Sequence, residues 1–388
     1  MFKYSLIFLI LIPAAAQAHV AGTSYDPFYG KQSSIEHIKQ HYSEGDLRVL
    51  IVPGHGKNDG GTQFADYYER DLNVLIAHKI LKLLESDKNF KIYVARDETG
   101  QYASWFQAFM DEGHAEITAF RDASIKYYNS AKSATVATTQ SVYHNTAPAQ
   151  TAFELYALNK FANDNRIDIA LHIHINDYPR SNMRVPGEHI GFTIYVPDSS
   201  FANGATSQAL AIYLRDELSQ VMPISTLPGE DLGVTPDREL IAIGSHGTRD
   251  NASLLIEYSY IYESQFASPE VRALYLDYLA RQTAQALENF FGYLPAQAGL
   301  VTKSESSSFY FSKLLFRGMR GLPDILALQI RLNELGLYPP LGKTLRDCPM
   351  TGNFGPCTEQ AVKSFQAKNY LEQVGMVGPK TRTLLNTI

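Results

Sequence analysis

The chain has 388 residues, a net charge of −6, and 45% apolar against 19% charged residues. That length allows two or three domains with substantial cores, and the composition excludes a disordered chain. With no basic field, nucleic acid is excluded as the expected partner.

Residues 1–18, MFKYSLIFLILIPAAAQA, set one early cation, Lys3, before an apolar run and Ala16-Gln17-Ala18. This is the pattern of an export signal cleaved before His19. The apolar run is short for a membrane span, so no integral membrane segment is expected after cleavage; an uncleaved anchor is the alternative. Residues 19–45 read as an irregular N-terminal arm. From about residue 47 a strand–helix rhythm begins. RVLIV is an unalternating apolar run, as in a strand covered on both faces. The next segment carries Leu72, Leu75, Ile76, Ile80, Leu83 and Leu84 at helical spacing,. FKIYVARD is the next strand. Further on, FELYALNKFANDN reads as a helix and IDIALHIHI as a strand. GFTIYVP, SQALAIYLRDELSQ, ASLLIEYSY and VRALYLDYLARQTAQALENFF continue the alternation. The expected fold is α/β, a mostly parallel sheet flanked by helices, over residues 46–293. An insertion at about 98–150 breaks the rhythm. Its second half is small and polar, either a mobile lid or an ordinary surface excursion.

Residues 294–321 contain TKSESSS and read as a linker. From 322 to 388 a small all-α domain is expected. The element G-x-(F/V)-G-P-x-T occurs twice, as GNFGPCT at 352–358 and GMVGPKT at 375–381. Gly-Pro suits a helix start, because proline's fixed φ and missing N–H are tolerated at the first helical position. The two cysteines, Cys348 and Cys357, lie close together in this domain. In an exported chain they are expected to form one local disulfide, with two free buried thiols as the alternative. Without a nearby histidine they make a poor zinc site.

The residues suited to chemistry gather at strand ends. In VPGHGKNDGG, His55 follows a buried strand and sits among glycines that let other groups approach. Glu69 opens the next helix. In LHIHIN, the period of two puts His172, His174 and Asn176 on one strand face. Glu257 directly follows the apolar run of LLIEYS. Ligands of open α/β sheets collect at the carboxyl ends of strands. Buried imidazoles and carboxylates need partners there. One metal would account for the set: two histidines and a carboxylate form a catalytic zinc shell, and a further carboxylate could shuttle a proton. Taken singly, each residue also has a structural reading: a turn histidine, a helix-start acid, a packed strand histidine, half of an ion pair.

These stretches, from VPGHGKNDGG through ERDLNVLIAHKILKLLE, YVARD and LHIHIN to LLIEYS, resemble the zinc-dependent N-acetylmuramoyl-L-alanine amidases of the phosphorylase/hydrolase-like fold. The resemblance spans about residues 47–290. It implies Zn2+ held by His55, Glu69 and the histidine of H-x-N, with Glu257 as the catalytic carboxylate. The H-x-N match selects His174 over His172. The chain departs from the family pattern at Val52, where an aspartate is usual, at His172 and Ile175, and in EYSYI. LQIRLNELGL, GNFGPCTEQAVKSFQ and GMVGPKTRTLL are similar to a peptidoglycan-binding three-helix domain; a docking or dimerisation module is the alternative. Together they imply an exported enzyme, in the periplasm or outside the cell at the wall. It would cut the amide between N-acetylmuramic acid and L-alanine, with peptidoglycan as its partner. The rivals are a zinc carboxypeptidase-like hydrolase of stem peptides, which would need an arginine such as Arg184, Arg238 or Arg249 for a terminal carboxylate, and a non-catalytic wall-binding protein.

Overall fold

A computed structural model describes residues 34–57, 59–134, 147–199, 201–244, 247, 251–292 and 309–388. The expected export signal lies outside these residues, as do 135–146 of the polar insertion and the whole TKSESSS segment.

The first element is a helix, α1 (Ile35–Ser43), capped by the Ser34 hydroxyl, which accepts from the His37 N–H. It corrects the expectation of an irregular arm. Ile38 and Tyr42, one turn apart, bury one helical face in the core,. Next come β1 (Leu47–Pro53), the short hairpin β2 (Gln63–Phe64) and β3 (Tyr67–Tyr68), α2 (Glu69–Leu84) and β4 (Phe90–Val94). The insertion is helical where it is described: α3 (Ser104–Glu112) and α4 (His114–Ala134) precede α5 (Ala149–Asp164). The domain closes with β5 (Ile169–Asn176), β6 (Thr193–Pro197), α6 (Gly204–Leu218), β7 (Val234–Asp237), β8 (Ala252–Tyr260) and α7 (Pro269–Phe291).

The sheet order is β4-β1-β5-β8-β6-β7. The pairs β1–β4, β1–β5, β5–β8 and β6–β7 are parallel, and β6–β8 is antiparallel. Central strand β1 shows why its sequence does not alternate. Val49 and Ile51 pack on one side with Leu72, Ile76 and Ile80 of α2. Leu50 and Val52 pack on the other with Phe106 of α3 and Phe153 and Phe161 of α5. Both faces are covered, so both residue phases must be apolar.

The C-terminal part comprises α8 (Pro323–Glu334), α9 (Pro356–Lys368) and α10 (Pro379–Leu385). Pro356 and Pro379 of the repeated element each begin a helix, as the Gly-Pro pattern predicts,. Residues 309–321, expected to be linker, belong to this unit. Phe311 and Leu315 are buried, the Phe311 backbone exchanges two hydrogen bonds with the Asn386 amide, and Leu315 bridges to Val377. The polar composition before residue 309 hid an apolar segment after it. Cys348 is bonded to Cys357. No helix among the described residues is long and apolar enough to cross a membrane.

Candidate active site

His55 lies just beyond β1, with φ +61°, an uncommon backbone state for a residue bearing a side chain. The glycines around it leave room for the ligand groups. A Cβ on Gly54 would strike the His174 ring, and one on Gly61 (φ +65°) would strike both Glu69 and His55. Glu69 opens α2 and is buried. His174 is near the end of β5, beside Glu257 of β8 in the parallel register.

The structure brings three of the sequence-predicted residues together. Ligating atoms of His55, Glu69 and His174 all lie within 4.8 Å of one another. Glu69 Oε2 is 3.3 Å from His55 Nε2, and its Oε1 is 3.0 Å from His174 Nδ1. The carboxylate is held in place by the Thr62 N–H at 3.0 Å, the Ile175 N–H at 3.2 Å and the Asn73 amide at 3.3 Å. Burial opposes ionisation of Glu69, but the hydrogen bond to His174, both imidazoles and the Thr62 N–H outweigh it and bring its pKa down to about 2,. Glu257 goes the other way. Burial, then the charges of Glu69 and Glu230, raise its pKa well above the ordinary carboxylate value. Its Oε2 is shielded from solvent and has no hydrogen-bond partner. Two carboxylates at one site are thus pushed apart, one fixed as an anion and the other able to carry a proton.

His172 takes no part in this group. It lies two residues back on β5, in register with Val52 and Leu255, and is buried. Burial, then the neighbouring His174, lowers its pKa to about 3, so it sits in the sheet as a neutral ring. Sequence reasoning missed three supporting groups. Asp59 Oδ2 is 3.2 Å from His55 Nδ1, which leaves Nε2 turned to Glu69. Thr62 joins the Glu69 carboxylate to Asp177, which it reaches through its hydroxyl. Asn73 spans Glu69 and the Gly54 carbonyl. Asn73 is one helical turn beyond Glu69, a signal that could have been used. Asp59 and Thr62 are set by loop geometry and carry no periodic signal. Of the arginines a carboxypeptidase would need, Arg184 and Arg238 are exposed, and Arg249 lies outside the described residues.

A mostly parallel sheet with two imidazoles and a carboxylate converging at its strand ends, and a shielded glutamate beside them, defines an α/β protein with a candidate metal centre,. The family profile for N-acetylmuramoyl-L-alanine amidase matches residues 49–289, and that for a peptidoglycan binding domain matches 322–385. The chain belongs to the N-acetylmuramoyl-L-alanine amidase family and is a peptidoglycan hydrolase. Among solved structures, an N-acetylmuramoyl-L-alanine amidase from Clostridium difficile 630 is 18% identical, with a TM-score of 0.40 over 63% of this chain and 97% of the other. Ami1 from Mycobacterium smegmatis is 15% identical, with a TM-score of 0.41 over 64% and 98%. AmiC2 of Nostoc punctiforme is 16% identical, with a TM-score of 0.39 over 63% and 97%. No curated protein sequence gives a significant match.

Proposed function

We propose that the chain hydrolyses the amide between the lactyl group of N-acetylmuramic acid and L-alanine, with His55, Glu69 and His174 holding zinc and Glu257 moving the proton. The observation that carries this reading is the convergence of the three ligating groups within 4.8 Å beside a glutamate with an unpartnered, shielded oxygen. Two imidazoles and one carboxylate are the donor set of a catalytic zinc site with a position left open. Zinc bound there supplies Lewis acidity toward water and toward the scissile carbonyl. Asp59 holds the His55 ring so that Nε2 faces the centre. Glu257, as the carboxylate, takes the proton of the attacking water as the new C–O bond forms, and the burial that raises its pKa strengthens its hold on that proton,. It returns that proton to the L-alanine nitrogen as the C–N bond breaks. The products are a free lactyl carboxylate on the sugar and a stem peptide with a free amine.

The domain division follows the same reading: residues 46–293 carry the chemistry and the C-terminal unit holds the enzyme on its insoluble substrate, raising local concentration. Such a substrate lies outside the cytoplasmic membrane, in keeping with an exported protein whose leader is residues 1–18.

Two variants test the roles. Glu257→Gln should keep its metal and lose about 10²–10⁴ in rate on muropeptides. Glu69→Ala should lose metal and activity together. Mass spectrometry of the products identifies the bond cut, and metal analysis counts the ions. If Glu257→Gln loses metal as readily as Glu69→Ala, it is a ligand. If its rate stays near normal, the general base lies elsewhere.

A further inference from the structure

We propose that His37, His41 and Asp168 form a second divalent-metal site, structural in role, at the opposite end of the sheet from the active site. It is the other trio of ligating side chains that converges among the described residues, its donor atoms all within 4.8 Å of one another. Tetrahedral zinc, bonded at about 2.1 Å, sets its ligand atoms about 3.4 Å apart, a spacing that small rotations of the exposed His37 ring and the half-buried His41 ring reach.

The local structure explains why these residues meet. His37 and His41 are one turn apart on α1, so they share a face, while Ile38 and Tyr42 hold the adjoining face in the core. The two rings lie 4.0 Å apart, tilted by 57°. His41 Nδ1 is 2.7 Å from Asp168 Oδ1. Asp168 Oδ2 accepts the Arg48 N–H at 2.8 Å, and the residue is only 5% exposed. A carboxylate that deep is costly unless it is paired. The nearest guanidinium is not its partner: Arg48 is directed to Asp46 and to the Asn165 carbonyl. Lys91 also goes to Asp46. What faces Asp168 is His41, with the His37 ring beside it. A divalent cation would take both imidazoles and the carboxylate together,. His37 is exposed, so the cation has an entry path and a place for water.

The ligand chemistry selects a borderline ion. Imidazole favours zinc, copper, nickel and cobalt over magnesium or calcium. The site would fasten α1 to the sheet where the amino ends of β1, β5 and β8 meet. Asp168 stands there as a hub, its N–H bonded to the Arg48 carbonyl and its own carbonyl accepting from Ala252. Asp168 and His174 are six residues apart along one strand, about 20 Å, so the two centres do not share a ligand.

The experiment uses untagged full-length protein, stripped with chelator, dialysed and titrated with Zn2+ alone, the bound ion being counted by elemental analysis. Two equivalents are expected for the wild type. His37→Gln, a surface change that should not disturb folding, is expected to bind one equivalent with an unchanged amidase rate, and its melting temperature should no longer rise on addition of the second equivalent. His174→Ala should also bind one, at the other site. A wild type that binds a single equivalent, retained in His37→Gln, overturns the proposal. So does a His37→Gln protein that still binds two. Loss of one equivalent in His37→Gln with none lost in His174→Ala would leave this site standing and remove the active-site assignment instead, so the two failures are distinguishable.

Discussion

Asp59 and Glu263 show how single side chains set the working state of the site and the stability around it. Asp59 is not among the three residues proposed to hold the metal. It fixes one ring nitrogen of His55 and thereby the direction of the other. Groups that orient a metal-binding imidazole typically matter by about 10–100-fold in metal affinity. Asp59→Asn should weaken Zn2+ binding by about that factor, read by competition with a chromophoric chelator, while substrate cleavage at saturating metal stays close to wild type. Glu263 is buried after β8. Its Oε1 accepts from the N–H groups of Gly191 and Tyr260, and its Oε2 from the Gln265 amide. Burial outweighs these bonds and raises its pKa above 4.5. The folded state then binds the proton more tightly than the unfolded state does. Its contribution is complete below the unfolded value and is lost as pH rises through the folded one, at about 1.4 kcal/mol for each unit of elevation. Glu263→Gln should remove that slope. A glutamine oxygen can still accept from both N–H groups, and the Gln265 amide, whose oxygen has no partner, can turn to accept from the new nitrogen. Urea midpoints measured from pH 4.5 to 8 should fall with pH in the wild type and stay flatter in the variant. Parallel slopes would show that Glu263 does not titrate differently on folding.

At the scale of elements, the C-terminal repeat shows what a sequence states openly and what it conceals. The two Gly-Pro elements announced two helix starts, and both are present. The groups that clamp them were not legible. Gln329 of α8 donates to the Asn353 carbonyl and the Thr358 hydroxyl, and accepts from Thr351 and Gly352. Gln366 of α9 does the same for the second copy, with the Met376 carbonyl, the Thr381 hydroxyl and Gly375. A glutamine on a helix reads as a surface residue, and only the loop folded back onto it makes it core. The active site divides in the same way. His55, Glu69 and Glu257 were legible because they stand at the ends of strands and helices with strong apolar patterns, whereas periodicity put His172 and His174 on one face and only the family resemblance chose His174. Asp59 and Thr62 come from an irregular loop, and α1 is short and follows a featureless stretch. Gln329→Leu and Gln366→Leu should each strand buried backbone groups, at about 1–3 kcal/mol for each group left unpaired. Matching losses in thermal stability would show that the two loops are equivalent clamps. Breaking Cys348–Cys357, nine residues apart, should cost about 2–3 kcal/mol through the unfolded chain. Comparing melting curves with and without reductant separates this from the glutamine effect.

The whole molecule is less divisible than its sequence suggests. The polar stretch before residue 309 predicts two units on a loose tether, yet one apolar cluster runs from the catalytic domain into the C-terminal unit and includes Val271, Tyr278, Ile325 and Phe354. The Val271 side chain lies against the Gly352 backbone, so closely that a Cβ there would be 3.0 Å from it. The proposed anchoring and the support are therefore two separate roles for the same domain, and a truncation alone would confuse them. Removing residues 293–388 should weaken pelleting with insoluble sacculi and leave cleavage of small soluble muropeptides in place, because no proposed ligand lies beyond residue 257. It should also lower the melting temperature, since Val271 and Tyr278 lose their cover; one buried Val is worth about 1.5–3 kcal/mol. Val271→Asp in the full chain separates the effects. It puts an unpaired carboxylate into the seam, which costs stability, but leaves the wall-binding unit attached. The expected result is a lowered melting temperature with sacculus retention unchanged. If Val271→Asp pellets as poorly as the truncated protein, wall binding needs the two units held in register and is not a property of the C-terminal unit alone. If truncation leaves the melting temperature untouched, the seam contributes nothing, and the tethered arrangement read from the linker composition is the better description.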